Sequence, residues 1–347
     1  MKPTNHTLRN GAGMSLTAST LGGTVTSLRV PDRAGRAGNV VLSLPDVRDH
    51  HANGYMNALI GRVGNRVSGG GFKLDGVFYP IARNNGEGKL ACALHGGNRG
   101  FDRHVWSARE FAGADGPSLE LATFSPDGEE GYPGNLAVRV VYTLTEANAW
   151  RIEYWAVTDK PTVVNLTQHA YFNLSAGRRD VGGHVLQVAA SRFSELDRAL
   201  LPTGRFPAVD GTALDLRAPT RLEAVFAKAK SDRRLANVGG GLDCNYFLDR
   251  TQPAGRGLDR AAEFSDPESG RRLSVWTDQP CMQVYSANFL EPGLKGRGGA
   301  VYGPHWACCF ETQHAPDSPN DPSVPSIRLD PGGVYHTVTE YRFDTFE

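Results

Sequence analysis

Long apolar runs and an excess of charge of either sign are both missing from this sequence of 347 residues. No hydrophobic run approaches the roughly 20 residues that a membrane-spanning helix needs, so we expect no membrane contact. Lys plus Arg and Asp plus Glu each number 37. A chain with this balance has no bulk charge with which to hold nucleic acid or an anionic membrane surface.

The amino-terminal stretch, MKPTNHTLRNGAGM, lacks the apolar core of a signal peptide. We therefore expect a cytoplasmic protein, although an exported protein with a trimmed leader would begin in the same way. Five cysteines are present, an odd number, and none belongs to a CxxC pair. This usage predicts free thiols in a reducing compartment rather than a disulfide framework or a zinc site.

Cofactor motifs are also missing. There is no P-loop and no strand–GxGxxG–helix unit, so we expect no nucleotide cofactor. His95, His169, Asp243 and Glu311 are residue types that could bind a metal, but they are not spaced like a known ligand pair such as HExxH. We therefore predict no metal.

Scattered turn residues divide the chain into many short apolar runs, as expected for a sheet protein with tight turns. Residues 72–81, FKLDGVFYPI, read as a hairpin about an Asp-Gly turn. The best helix candidate is 221–236. The other predicted strands are 15–18, 25–30, 40–44, 119–124, 136–145, 150–157, 164–174, 273–277, 282–285, 306–311 and 338–343. Many strands, little helix and no linker predict one antiparallel domain of two packed sheets over residues 1–347.

The predicted strand at 164–174, VNLTQHAYFNL, carries a histidine in its middle. Side chains alternate along a strand, so His169 shares a face with Thr167 and Tyr171. A histidine on a rigid strand is well placed for proton transfer, although a core histidine bonded to a backbone carbonyl is the commoner case.

Five further stretches carry polar side chains next to glycines or strand ends. Two arginines lie in NALIGRVGNRV, and a histidine precedes two glycines in LHGGNRGFDRHVW. An aspartate follows three glycines in GGGLDCNYFL, and Gln283 and Tyr285 share one strand face in PCMQVYSANFL. Glu311 ends an apolar strand in ACCFETQHAPDSP, and burial there should raise its pKa and make it a better base. Each stretch alone is also compatible with an ordinary turn or surface loop.

Taken in order, nine motifs resemble the aldose 1-epimerase (galactose mutarotase) family over residues 11–343. They are GRVGNR (61–66), FKLDG (72–76), LHGG (94–97), GFD with a trailing Trp106, DGEEGYPG (127–134), NLTQHAYFNL (165–174), GLD (241–243), QVYSANF (283–289) and ETQHAPDSPN (311–320). The resemblance implies an all-β fold, a large single-domain antiparallel β-sandwich of the galactose mutarotase-like supersandwich type. It also implies a cleft for a monosaccharide and neither a metal nor an organic cofactor.

By the same resemblance, Glu311 is the general base, His169 the general acid, and His95 an assisting group near the ring oxygen and C1. The residues that would hold sugar hydroxyls are Asn65, Arg66, Asp243 and Gln283. The implied reaction interconverts α and β anomers by opening and reclosing the ring. We also expect a nearby carboxylate to raise the pKa of His169.

Departures from the family pattern, Gln168 and Ala170 around the acid and Cys244 after the aspartate, leave the preferred sugar open. A hexose-6-phosphate epimerase is the alternative enzyme, and it would need basic side chains such as Arg62, Arg66 and Arg99 to converge on the phosphate. A non-catalytic sugar-binding protein is the alternative outside enzymes. A glycosidase fits less well, because it needs two carboxylates about one bond. The sequence does not decide between a monomer and a homodimer.

Overall fold

A computed structural model describes residues 2–252 and 257–347 of the chain, and strands dominate it. The amino-terminal half contains β1 (Asn5–Arg9), β2 (Ser15–Ser19), β3 (Val25–Pro31), β4 (Ala37–Asn39), β5 (Leu59–Ile60), β6 (Arg66–Val67), β7 (Gly71–Leu74), β8 (Val77–Pro80), β9 (Ala93–Leu94), β10 (Ser107–Gly113), β11 (Gly116–Ser125), β12 (Leu136–Leu144) and β13 (Ala149–Thr158). The carboxy-terminal half contains β14 (Thr162–Val163), β15 (Thr167–Gln168), β16 (Val185–Val188), β17 (Ala190–Phe193), β18 (Thr220–Arg221), β19 (Asp243–Leu248), β20 (Asp259–Asp266), β21 (Arg271–Thr277), β22 (Cys281–Tyr285), β23 (Leu294–Lys295), β24 (Val301–Tyr302), β25 (Cys309–Gln313), β26 (Arg328–Leu329) and β27 (Tyr335–Thr345).

Helices are few and short. They are α1 (Leu222–Phe226) and α2 (Arg233–Ala236), with 3-10 turns at Val47–Asp49, Gly88–Leu90, Phe101–Arg103, Glu129–Gly131, Ala227–Lys230 and Arg297–Gly299. In the described part of the chain, no helix is long and apolar enough to cross a membrane.

A nine-stranded antiparallel sheet forms one layer, in the order β10-β11-β12-β13-β27-β21-β20-β16-β18. Its long central strands follow the predicted alternation. In β13 the side chains of Trp150, Ile152, Tyr154 and Ala156 are buried, and those between them are more exposed. This period of two gives the sheet one apolar face that must be covered by a second layer.

The second layer is a four-stranded antiparallel sheet, in the order β17-β19-β22-β25. Aromatic side chains fill the space between the two layers. Phe310 of β25 lies 5.3 Å from Phe264 of β20, and Phe172 lies 4.9 Å from Tyr341 of β27, measured between ring centroids. The predicted all-β sandwich is confirmed, and its second sheet has one face on this core and the other turned away from it.

Smaller sheets and pairs complete the fold. The first four strands form a sheet in the order β1-β2-β3-β4, and the pairs β5-β15 and β6-β9 lie at the edge of the candidate site described below. The predicted hairpin is β7-β8, where Asp75 and Gly76 both have positive φ, as a tight hairpin turn requires.

Three predicted elements differ from the structure. Residues 164–174 form a strand only at β15, because the rest of this segment makes isolated bridges, such as Val41 and Cys308 with Phe172. Residues 40–44 likewise lack a continuous ladder. The predicted helix at 221–236 is split into α1, a 3-10 turn and α2, since Asp232 caps a new helix start by accepting from the backbone of Arg234.

Candidate active site

Polar side chains from three neighbouring strands lie on one face of the four-stranded sheet, on the side away from the aromatic core. In the ladder between β22 and β25, Gln283 pairs with Glu311, and Asn245 of β19 pairs with Gln283. Asp243 is two residues from Asn245 and therefore faces the same side. The Gln283 side chain donates a 2.6 Å hydrogen bond from Nε2 to Oδ1 of Asp243, which fixes the orientation of both groups.

The sequence predicted that Glu311 ends a strand, but the residue lies in the middle of β25. Its neighbour Phe310 packs into the core, so alternation turns Glu311 the other way. The Glu311 residue is only 1% exposed, and its Oε2 atom has no hydrogen-bond partner among the described residues. A buried, unpartnered oxygen of this kind is well suited to accept a hydrogen bond from a ligand.

His169 lies directly after β15 and is held by backbone hydrogen bonds on both sides. Its N–H donates to the carbonyl of Ala58, and its own carbonyl accepts from the N–H of Asn57. The imidazole stacks on Tyr171 with 5.2 Å between ring centroids. Its Nε2 atom is 3.5 Å from Oε1 of Glu311, which places the two predicted catalytic groups side by side.

His95 enters the site from a different part of the chain, on the turn that follows β9. This residue has a positive φ of 53°, and its ring meets that of His169 edge to face at 5.2 Å. The backbone N–H of Asn65 donates to Nδ1 of His95 at 3.2 Å. Since a neutral imidazole has one donor and one acceptor, this bond places the proton on Nε2, which makes that atom a hydrogen-bond donor.

A cleft of about 590 Å³ brings all seven predicted site residues together. Its volume lies within the range of about 300–1,000 Å³ usual for small-molecule sites. Asn65, Arg66, His95, His169, Asp243, Gln283 and Glu311 all line it.

Burial shifts the pKa values of the two central groups in opposite directions. The pKa of Glu311 is raised well above its ordinary value, because burial penalises the carboxylate and the charge of Asp243 adds to this. The pKa of His169 is lowered to about 4, because burial penalises the imidazolium. The expectation that a nearby carboxylate raises the pKa of His169 is therefore wrong, since the desolvation of the ring dominates.

A metal site is the competing interpretation, and the structure brings three of its four candidate ligands together. Ligand atoms of His95, His169 and Glu311 lie within 4.8 Å of one another. The bond from Asn65 to Nδ1 of His95 argues against a metal, because it places a proton on the Nε2 atom that would have to coordinate. The donor set therefore suits hydrogen bonding better than coordination.

The three arginines that could have formed a phosphate site do not converge. Arg66 lines the cleft, and its Nε donates to Asn85 at 3.2 Å. Arg62 is 2% exposed and points away, with its guanidinium bonded to Ser125, Pro126, Pro133 and Gly134. Arg99 is exposed and lines a separate depression beside Arg62.

Several cleft residues were not singled out from the sequence. They include Tyr55, Asn85, Arg198, Leu200 and Asn237. Tyr55 meets His95 edge to face at 4.7 Å and could have been suspected because it lies two residues before the NALIGRVGNRV stretch. The others lie in loops whose position over the cleft depends on packing, so the sequence carried no signal for them.

Fold and site together define a class, that of β-sandwich proteins in which a buried carboxyl and an imidazole lie side by side in a cleft of sugar size. The family model described as aldose 1-epimerase matches residues 4–342. The chain therefore belongs to the aldose 1-epimerase family, which confirms the assignment made from its motifs.

Named relatives cover nearly the whole chain. The galactose mutarotase of Sus scrofa is 40% identical over 324 residues, which cover 93% of this chain and 89% of that protein. The aldose 1-epimerase of Escherichia coli is 34% identical over 341 residues, covering 97% of this chain and 94% of that protein. A solved aldose epimerase homologue from C. elegans superimposes with a TM-score of 0.89 at 27% identity and covers all of both chains.

Proposed function

We propose that this chain is an aldose 1-epimerase that interconverts the α and β anomers of free aldoses such as glucose or galactose. The single observation that carries the proposal is the pairing of Glu311 and His169. They are two buried groups capable of proton transfer, 3.5 Å apart, at the base of a cleft lined by hydrogen-bonding side chains.

In the proposed reaction, Glu311 is the general base and His169 the general acid. Glu311 takes the proton from the anomeric hydroxyl while protonated His169 gives one to the ring oxygen, and the bond between C1 and O5 breaks. The open aldehyde turns about the C1–C2 bond, and the two groups exchange roles as the ring recloses. Each proton transfer of this kind contributes typically about 10²–10⁴-fold to the rate.

His95 assists as a neutral hydrogen-bond donor. Burial lowers its pKa well below the ordinary value, and Nδ1 is already occupied by the N–H of Asn65. The remaining Nε2–H group would point at the ring oxygen or at O1. A neutral donor stabilises charge on oxygen without adding a further proton to the cycle.

The sugar hydroxyls away from C1 would bind to Asn65, Arg66, Asp243 and Gln283. The Asp243 carboxylate is a pure acceptor when ionised. Gln283, bonded to it, presents a buried Oε1 atom that has no hydrogen-bond partner in the described part of the chain. Arg66, which also lines the cleft, supplies donors. A cleft with both acceptors and donors suits a polyol, in which each hydroxyl does both.

Polarimetry tests the proposal directly. Purified protein added to freshly dissolved α-D-glucose, α-D-galactose and other aldoses should speed the approach to the equilibrium rotation above the spontaneous rate. Glucose 6-phosphate added in the same series tests the alternative, which the scattered Arg62, Arg66 and Arg99 disfavour. Binding of a sugar without any acceleration would overturn the enzyme proposal and leave a sugar-binding protein.

A further inference from the structure

The turn that carries His95 is held from behind by a carboxylate outside the cleft. We propose that Glu130 is a positioning residue, which acts on the reaction only through the orientation of His95. The inference rests on the role of His95 proposed above.

Glu130 receives two hydrogen bonds from the backbone of the His95 turn, residues 94–101. The N–H of Asn98 donates to Oε2 at 2.7 Å, and the N–H of Arg99 donates to Oε1 at 3.1 Å. Each carboxylate oxygen thus takes one backbone donor, three and four residues after His95. Bonds from backbone N–H groups to a charged acceptor are among the stronger hydrogen bonds in proteins.

The two glycines after His95 make this contact sterically possible. A Cβ atom on Gly97 would lie 2.3 Å from Oε2 of Glu130, and one on Gly96 would lie 1.8 Å from the carbonyl oxygen of Gly61. Both glycines have positive φ, at 107° and 90°. The backbone of the turn thus packs closely against Glu130 at Gly97 and against the stretch at 61–66 at Gly96.

Arg62 holds the loop that carries Glu130, here called the 125–134 loop. Its buried guanidinium donates to the backbone carbonyls of Ser125, Pro126, Pro133 and Gly134 at 2.8 to 3.0 Å. Gly61, the residue before it, accepts from the N–H of Phe101 in the His95 turn. The three segments are therefore hydrogen-bonded to one another. Residues 61–66 bind the 125–134 loop, that loop binds the His95 turn, and the turn binds residues 61–66.

These contacts reach the His95 imidazole through Asn65. Asn65 is in the first segment, and its N–H sets the tautomer of His95 through Nδ1, while the N–H of His95 donates to the carbonyl of Asn65 at 3.1 Å. Loss of the Glu130 contacts would let the turn move relative to Asn65. The ring would then lose both its angle and its preferred tautomer.

Replacing Glu130 tests the proposal. Glu130→Gln keeps the shape but turns an amide donor toward a backbone donor, and Glu130→Asp keeps the charge but is one methylene too short. We expect kcat to fall about 10- to 100-fold in both, since a misplacement of about 1 Å costs that much, with KM changed by less than about twofold. Glu146→Gln is the matched control, because Glu146 also accepts a backbone N–H, that of Gly11 at 2.8 Å, at a turn that does not line the cleft.

Two measurements distinguish an effect on the orientation of His95 from a general loss of structure. In a His95→Ala background, Glu130→Gln should lower kcat by no more than about twofold, because the group through which it acts is gone. Long-range nitrogen–proton NMR of the His95 ring should show the Nε2–H tautomer in the wild type and a mixture of tautomers in Glu130→Gln. If Glu130→Gln fails to fold, the same measurements on Glu130→Asp decide.

The proposal is overturned if both variants keep kcat within about twofold of the wild type, or if the loss is as large in the His95→Ala background. An equal loss in Glu146→Gln would also overturn it. The proposed function can fail separately: if His95→Ala itself leaves the rate unchanged, the assisting role of His95 is wrong. If His95→Ala slows the reaction and the Glu130 variants do not, only the positioning role is wrong.

Discussion

In the free protein, the proton shared by Glu311 and His169 favours Glu311, whereas the proposed reaction needs it on His169. Burial raises the pKa of Glu311 and lowers that of His169 to about 4, so a single proton shared by the pair favours Glu311 over His169 in the free protein. The reactive form has it on His169. Both forms contain the same number of protons, so pH does not choose between them, and the pair titrates as a unit.

Glu311→Gln should nearly abolish turnover while leaving the fold and sugar binding intact. The amide keeps the shape and one acceptor but cannot take a proton at neutral pH. Loss of a general base costs about 10²–10⁴-fold, so retention of more than about a tenth of the polarimetric rate would contradict the assignment. Circular dichroism and sugar binding measured on the same sample provide the control for folding.

The dependence of kcat/KM on pH should be a bell for the wild type. Below a pH of about 4, His169 and Glu311 are both protonated and the base is lost. Above the raised pKa of Glu311, both are deprotonated and the acid is lost. Polarimetric rates measured from acid to alkaline pH, extrapolated to zero buffer, would show the two limbs.

The His169→Asn variant tests which group gives rise to the basic limb of the pH profile. Its residual rate should need only an ionised Glu311, so it should rise with pH through the raised pKa of that group and keep no basic limb. A basic limb that survives unchanged in His169→Asn would show that His169 is not the acid, and His95 would become the better candidate.

Among the elements of the fold, two strand pairings, β19-β22 and β22-β25, and the His95 turn form the site. The β19-β22-β25 ladder places Asp243, Gln283 and Glu311 on one face through register alone. The His95 turn needs more than register, because it must approach the backbone at Gly61 closely. Such an approach is one that only glycine allows.

Gly96→Ala should therefore cost both stability and activity, and Gly76→Ala is its matched control. Both glycines have positive φ, at 90° and 81°, so each substitution bears the backbone strain of about 1–2 kcal/mol. At Gly96 the new Cβ also meets the carbonyl of Gly61 at 1.8 Å, while at Gly76 nothing lies within 4 Å.

Thermal unfolding and polarimetry on the two variants check this. Gly76→Ala should be mildly less stable with an unchanged kcat, and Gly96→Ala should be much less stable with a lower kcat. Equal effects in the two variants would mean that the close approach to Gly61 has no importance.

For the whole molecule, several histidines are buried in places that favour the neutral form. The pKa values of His169, His184 and His314 are each lowered to about 4 by burial. An unfolded histidine titrates near pH ~6.5. Between these two values, His184 and His314 bind protons in the unfolded chain that they do not bind in the folded one. The raised pKa values of Glu311 and Asp102 act in the opposite direction, and that of Glu311 offsets the effect of His169.

Taken singly, each of His184 and His314 should therefore lower the free energy of unfolding by about 1.4 kcal/mol per pH unit as pH falls from about 6.5 to about 4. Urea unfolding at a series of pH values measures the slope. His184→Gln should make the slope shallower, because the ring with the lowered pKa is gone. A slope in His184→Gln equal to that of the wild type would contradict the burial of the His184 ring in the neutral form.

The fold class and the identity of the candidate residues could be predicted from local sequence patterns and motifs. Alternating short runs predicted the sheets, and the Asp-Gly pair predicted the β7-β8 hairpin, because these signals are local and depend on strand and turn geometry alone. His95, His169, Asp243 and Glu311 could be singled out because their residue types carry chemistry and their motifs occur in order. A single domain over residues 1–347, a cofactor-free site and a cytoplasmic location remain predictions.

How these residues are arranged relative to one another became clear from the three-dimensional structure. It placed Glu311 at the centre of β25, reduced the strand at 164–174 to β15, and reversed the expected order of the Glu311 and His169 pKa values. It also buried Arg62 beneath the site and brought Glu130 to the back of the His95 turn. These properties arise from desolvation and from contacts between segments far apart in the chain, and neither is encoded in a local pattern.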